Sequence, residues 1–173
     1  HASAALGKHV PRNVAATFDV AYAPGDADEA LDVFVPRTRT HPLTTIVWIH
    51  GGGFVAGDKS EIANYARILA ARGYGVVTVN YTLAPEAHYP TQLVQINRAL
   101  AWVSANARRH GLDPDRIVLA GDSAGAQLAA QLANLVTSPA YARSVGVRPA
   151  LAPAQLIGAV LFCGPYDSDY AKP

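Results

Sequence analysis

An α/β fold, a mostly parallel sheet with helices on both faces, is predicted for this 173-residue chain by three observations. Short apolar runs alternate with longer segments of helical spacing in the order strand, helix, strand, helix, strand, helix. The runs are continuous rather than alternating, as expected of strands buried on both faces. Two of them run directly into glycine-bearing turns, His50-Gly51-Gly52-Gly53-Phe54 and Gly121-Asp122-Ser123-Ala124-Gly125.

Taken in order, residues 1–16 form a loose lead-in. Residues 17–22 alternate with the period of a half-buried strand, residues 24–28 carry turn chemistry, and residues 31–35 form a second strand, so the pair reads as a hairpin. Residues 45–49 are a continuous apolar run ending in the first glycine turn. Apolar residues Ile62, Tyr65, Ala66, Leu69 and Ala70 predict a helix over 59–72, closed by Gly73 and Gly75. A buried strand at 76–79 leads into a proline-bounded loop, 80–90, and a long helix over 92–107. Residues 113–116 turn into the strand at 117–119, which ends in the second glycine turn and the alanine-rich helical pattern of 126–132. A loop over 137–153 precedes one more buried strand, 156–162, ending in Gly164-Pro165-Tyr166-Asp167. One partial domain over 1–173 results, with its core at 17–167 and a chain end at 168–173.

Composition narrows the function classes. A net charge of +1 without a basic run leaves no electrostatic footprint for nucleic acid or an anionic membrane. No apolar run reaches the roughly 18 residues of a membrane span. The single cysteine, Cys163, excludes an internal disulfide framework, reads as a buried free thiol, and favours a cytoplasmic over a secreted setting. No His, Cys or carboxylate cluster has metal-ligand spacing, so neither metal nor cofactor is expected. The chain contains no methionine and begins at His1, which is not a translation start.

The two turns carry the chemistry. Gly-x-Ser-x-Gly between a strand and a helix is the pattern of a nucleophile elbow, which lifts the serine hydroxyl above the sheet edge. Gly121 and Gly125 are expected because a side chain at either would crowd the strand or helix against the turn, and because glycine tolerates unusual backbone angles. The bland alternative for Ser123 is a helix N-cap. Three consecutive glycines after His50 expose backbone N–H groups, the donors that a developing oxyanion needs. No Gly-Lys-Ser/Thr follows, which disfavours a phosphate cradle.

Together, His50 to Phe54, Tyr81 to Pro90, Gly121 to Gly125 and, less closely, Gly164 to Asp167 resemble the α/β-hydrolase superfamily, and within it the hormone-sensitive-lipase-like esterases and carboxylesterases. Asp122 matches that group; Thr82 stands where it often has arginine. The resemblance implies that Ser123 is the nucleophile and that N–H groups of Gly51 or Gly52, Gly53 and Ala124 form an oxyanion hole. It implies cleavage of small to medium carboxylic esters through an acyl-enzyme.

The superfamily order is serine, acid, histidine, yet all six histidines lie at or before position 110. His50 reads as a residue shaping the glycine loop, His88 and His110 as loop and helix-end residues. Downstream carboxylates are only Asp167 and Asp169, and Asp167 stands one strand earlier than this group places its acid. Counting strands, the chain corresponds to the first two thirds of such a domain. The expectation is that a C-terminal remainder, as a missing segment or second polypeptide, supplies the acid and histidine. Without it the 156–162 strand is an apolar edge. The alternatives are an arylformamidase-like amide hydrolase and an inactive hydrolase fragment acting as an interaction partner.

Overall fold

In the computed structural model, which describes residues 5–167, six strands share one sheet: β1 (Val14–Ala21), β2 (Ala30–Pro36), β3 (Leu43–Ile49), β4 (Gly75–Val79), β5 (Leu112–Asp122) and β6 (Leu156–Phe162). Their spatial order is β1-β2-β4-β3-β5-β6. The first two form the expected antiparallel hairpin, and β2 runs antiparallel to β4. From β4 onward every neighbour is parallel. The parallel strands therefore deliver their C-terminal ends, and the loops that follow, to one edge.

Among the described residues, the sheet is covered by α1 (Ala63–Ala71), α2 (Thr91–Asn106), α3 (Ala124–Thr137) and α4 (Pro139–Val145). The larger core joins Val47, Ile49, Val77 and Leu119 of the sheet to Leu93, Ile96 and Leu100 of α2 and Leu128 and Leu132 of α3. On the opposite face α1 buries Ala66 and Ala70 against Val14, Phe34 and Val76. Its small side chains let the helix approach the antiparallel strands closely. Over β3, β5 and β6 this second face carries a depression of about 260 Å³ lined by residues that include Trp48, Tyr65, Val160 and Phe162.

The differences from the sequence reading have local causes. The 59–72 helix is split into a 3-10 turn, Lys59–Ile62, followed by α1. Its entry is tightened because Asp58 accepts a hydrogen bond from the Ser60 N–H and Lys59 donates its own N–H to Asn80. Its end is as expected, with Gly73 at φ 96° and a Schellman pair, Gly73 N–H to Ala70 and Tyr74 N–H to Leu69. The 137–153 stretch contains a helix, α4. Ser138 caps it through the Tyr141 N–H, Pro139 opens it and Gly146 closes it at φ 71°, a set of signals legible in the residues themselves. β5 begins earlier than 117, with its register against β3 broken between Thr44 and Thr45.

The strand at 156–162 forms, but it is not buried. It pairs with β5 alone and leaves Ile157, Val160, Leu161 and Phe162 exposed. Cys163 is likewise exposed, at φ 52°, rather than a buried thiol. Asp169 lies outside the described residues.

Candidate active site

β5 delivers Ser123 to the sheet edge, and the backbone there is strained. Ser123 has φ 51° and ψ −120°, a region that costs a non-glycine residue on the order of 1–3 kcal/mol. The turn is held by a 2.8 Å hydrogen bond from the Ser123 N–H to the Phe162 carbonyl at the end of β6, and by the Gln127 N–H donating to the Ser123 carbonyl. The side chain makes no capping hydrogen bond to α3, so the helix-cap reading of this serine is not the one the fold uses. Ser123 is exposed at the N-terminus of α3, above a buried Ala124.

The flanking glycines act through space. Neither Gly121 nor Gly125 has a positive φ; the unusual angles fall on Ser123 itself, a correction to the expectation that both glycines are there for backbone freedom as well. A Cβ on Gly121 would lie 2.5 Å from the backbone of Gly125, and one on Gly125 would lie 2.5 Å from the His50 carbonyl oxygen and closer still to that of Ile49. The elbow is thus wedged against the end of β3, where the glycine loop begins.

Gly51 closes the gap from the other side. A Cβ there would stand 2.5 Å from the Asp122 carboxylate and 3.2 Å from the Ser123 Cβ. The Asp122 carboxylate is itself oriented by the Trp48 indole N–H at 3.0 Å. His50 is 2% exposed, and its Nδ1 donates to the Gly51 carbonyl at 2.8 Å. Its ring stacks on Tyr81 at 4.4 Å, while the Tyr81 hydroxyl donates to the His50 carbonyl. Burial holds the His50 pKa below its usual value against the hydrogen bond to Gly51 and the carboxylates nearby. The imidazole is a neutral structural donor, consistent with the loop-shaping reading.

Peptide geometry then aims the loop. In a trans peptide C=O and N–H point to opposite sides. With the Gly51 carbonyl turned to His50, the Gly52 N–H points away. The Gly52 carbonyl accepts from the N–H groups of Val55 and Ala56, which turns the Gly53 N–H the opposite way. Gly52, Gly53 and Phe54 hold positive φ values of 115°, 64° and 66°, and both glycines are exposed.

A cleft of about 280 Å³ adjoins this corner, lined among others by Phe54, Ala87, His88, Gln127 and Leu128. His88 is exposed in it; His110 ends the helical segment before β5, at the opposite edge of the sheet, against Trp102. Asp167 is exposed, beyond Phe162 on the segment leaving β6. Among the described residues no cluster of His, Cys, Asp or Glu has the makings of a metal site. The sequence reading missed Trp48, which bonds Asp122, and Asp58, Lys59 and Asn80, which hydrogen-bond one another where the glycine loop ends. Only Asp58 left a local signal, an N-cap aspartate three residues before Glu61.

Comparison with known proteins bears on the family and the fold. The BD-FAE family model matches residues 31–147. The chain is 39% identical over 127 residues to carboxylesterase NlhH of Mycobacterium tuberculosis, covering 72% of this chain and 38% of that protein. It is 34% identical over 137 residues to arylacetamide deacetylase of Bos taurus, covering 73% and 34%. The crystal structure of an inhibited esterase B from Lactobacillus rhamnosis superposes with a TM-score of 0.85 at 30% identity, covering 94% of this chain and 53% of that one. The chain thus spans about a third of the length of such curated relatives and about half that of the esterase structure. With its elbow, its glycine loop and a family match over most of its length, the chain belongs to the BD-FAE family of hormone-sensitive-lipase-like α/β-hydrolases.

Proposed function

We propose that the protein is a serine carboxylesterase that cleaves small to medium carboxylic esters through an acyl-enzyme on Ser123. The observation that carries this reading is the strained, exposed Ser123, free of any capping role, with a glycine loop packed against its Cβ. In the reaction the Ser123 Oγ attacks the ester carbonyl, the proton passes to a base, the alkoxide leaves with a proton, and water releases the acid. The N–H groups of Gly52, Gly53 and Ala124 stabilise the oxyanion. Gly51 contributes space beside Ser123 and the carbonyl that His50 holds. Removing one such donor typically costs about 10²–10³ in kcat.

The base and acid come from a C-terminal segment beyond Pro173. In support, no histidine follows Ser123, the chain spans about half of the esterase structure it matches, and β6 offers an open parallel edge. Should that segment supply the histidine alone, Asp167, on the loop after β6, is the acid within the chain. The test is fluorophosphonate labelling with mass-spectrometric site mapping, alongside hydrolysis of p-nitrophenyl butyrate and an aryl acetamide. Ser123 takes the label, and Ser123→Ala abolishes both labelling and ester turnover. An unlabelled Ser123 in the full polypeptide defeats the reading. Faster turnover of the acetamide than of the ester favours amide cleavage, the activity that the name of the bovine relative suggests.

A further inference from the structure

The glycine loop joins β3 to the 3-10 turn at Lys59 through nine residues, 50–58, that include Gly51, Gly52, Gly53 and Gly57. Glycine loses more backbone freedom on ordering than any other residue, whereas an oxyanion donor must be held to roughly 0.5 Å. Something must fix both ends of this loop. The inner end is fixed by His50 and Tyr81, as described above.

The outer end is fixed by groups that the esterase reading leaves unused. Gly57, at φ 105°, approaches so closely that a Cβ on it would meet the Gly51 carbonyl oxygen and lie 2.5 Å from His50 Nδ1. Asp58 follows, accepting from the Ser60 N–H at 2.8 Å and from the Asn80 carboxamide at 2.7 Å. The Lys59 N–H donates to the Asn80 Oδ1 at 2.6 Å. The Lys59 side chain reaches into the antiparallel half of the sheet. There its ammonium lies 2.7 Å from the exposed Asp19 and 2.9 Å from Asp32, and the Lys59–Asp32 pair is the buried one, with side chains 8% and 1% exposed. Asp19 is brought in by a break in register in β1 between Thr17 and Val20, at φ 53°, and its N–H also donates to Asp32.

Burying an ion pair costs several kcal/mol per ion in desolvation, a cost that an ordinary surface turn has no reason to bear. The contacts instead form a closed ring. Lys59 bonds Asn80, Asn80 adjoins Tyr81, Tyr81 bonds and stacks on His50, His50 bonds Gly51, and Gly51 meets Gly57 beside Asp58. We propose that Lys59 is a positioning residue for the oxyanion donors: anchored by Asp19 and Asp32, it pins the outer end of the glycine loop, and Asn80 couples that pin to Tyr81 and His50 at the inner end. The inference rests on the esterase reading of Ser123, and Lys59 itself touches none of the reacting groups.

The experiment compares, in the full polypeptide, wild type with Lys59→Arg, Lys59→Met and Lys59→Met/Asp32→Asn. The last variant leaves no buried carboxylate without its counter-charge and keeps the test open should Lys59→Met not fold. For each, kcat and KM for p-nitrophenyl butyrate and the rate of Ser123 phosphonylation are normalised to the folded fraction. Mispositioned donors predict a fall in kcat of about 10- to 100-fold with KM within about twofold, below the full loss of a donor. Phosphonylation slows in parallel, and Lys59→Arg recovers most of the rate. A folded double variant with wild-type kcat overturns the proposal while leaving the esterase reading intact. So does a loss that only tracks the folded fraction. A wild type that neither turns over ester nor labels at Ser123 removes the esterase reading and this inference with it.

Discussion

Ser123 holds its unfavourable backbone because the residues around it are small enough for three segments to converge. Gly125 rests on the carbonyls that end β3, Gly121 on the first turn of α3, and Gly51 on Asp122 and the Ser123 Cβ. These carbonyls belong to the sheet and cannot yield without moving the strand. Gly125→Ala is therefore expected to destabilise the fold by about 1–3 kcal/mol through overpacking. It also shifts Ser123, and displacement on the order of 1 Å costs about 10²-fold in rate. Urea unfolding and esterase kinetics on the same sample check both; an alanine variant with native stability and turnover would show that the elbow has room to spare. At this scale the two turns are legible in the sequence, because each motif stands directly after an apolar run and the elbow also stands directly before a helical pattern. What spacing did not convey is which residue bears the strain, since that depends on how closely β3 approaches the turn.

At the scale of elements, the glycine loop is a connection whose order comes from the elements at its ends. Asp58 caps the turn before α1 and ties it to Asn80 at the end of β4. Burial raises its pKa, but the hydrogen bonds from Ser60 and Asn80 and the charge of Lys59 outweigh this and hold it at about 2, against 3.8 when unperturbed. A carboxyl depressed in the folded state contributes stability that is fully present above the unfolded value and is lost as pH falls from 3.8 toward about 2. The stability difference between wild type and Asp58→Asn should thus be largest near neutrality and shrink through that window, as measured by urea midpoints at successive pH values. A difference that stays constant with pH would mean that the carboxylate charge is not what the cap uses. The helix at Pro139–Val145 shows how an element can be legible and still be missed: serine, proline and glycine mark its ends, but its seven residues are too few for apolar periodicity to announce it.

Across the whole molecule the sheet is asymmetric. One edge ends in the β1–β2 hairpin, whose β1 is broken in register, and the other in β6, which is in even register with β5 from Gly158 onward and exposes Ile157, Val160, Leu161 and Phe162. Unpaired strand edges of this kind template association, and the nearby depression around Trp48, Tyr65 and Phe162 adds exposed apolar surface. The 173-residue chain is expected to self-associate at micromolar concentration, and Ile157→Lys/Val160→Lys to shift it toward monomer in analytical ultracentrifugation. A wild-type chain that sediments as a monomer at those concentrations would show that this edge is not sticky.

The sequence by itself determined the α/β class, the order of the strands along the chain and the two glycine turns. Each of these depends on contiguous residues: period, length of apolar run, and the backbone freedom or bulk of neighbours. Only the tertiary structure decided that β6 is an exposed edge, that Cys163 faces solvent, and that His50 is a buried donor stacked on Tyr81. It alone brought Lys59 to Asp19 and Asp32, across 40 and 27 positions of chain. Burial and ion pairing are properties of what packs against a residue, and that partner comes from another strand, at a register no local pattern specifies.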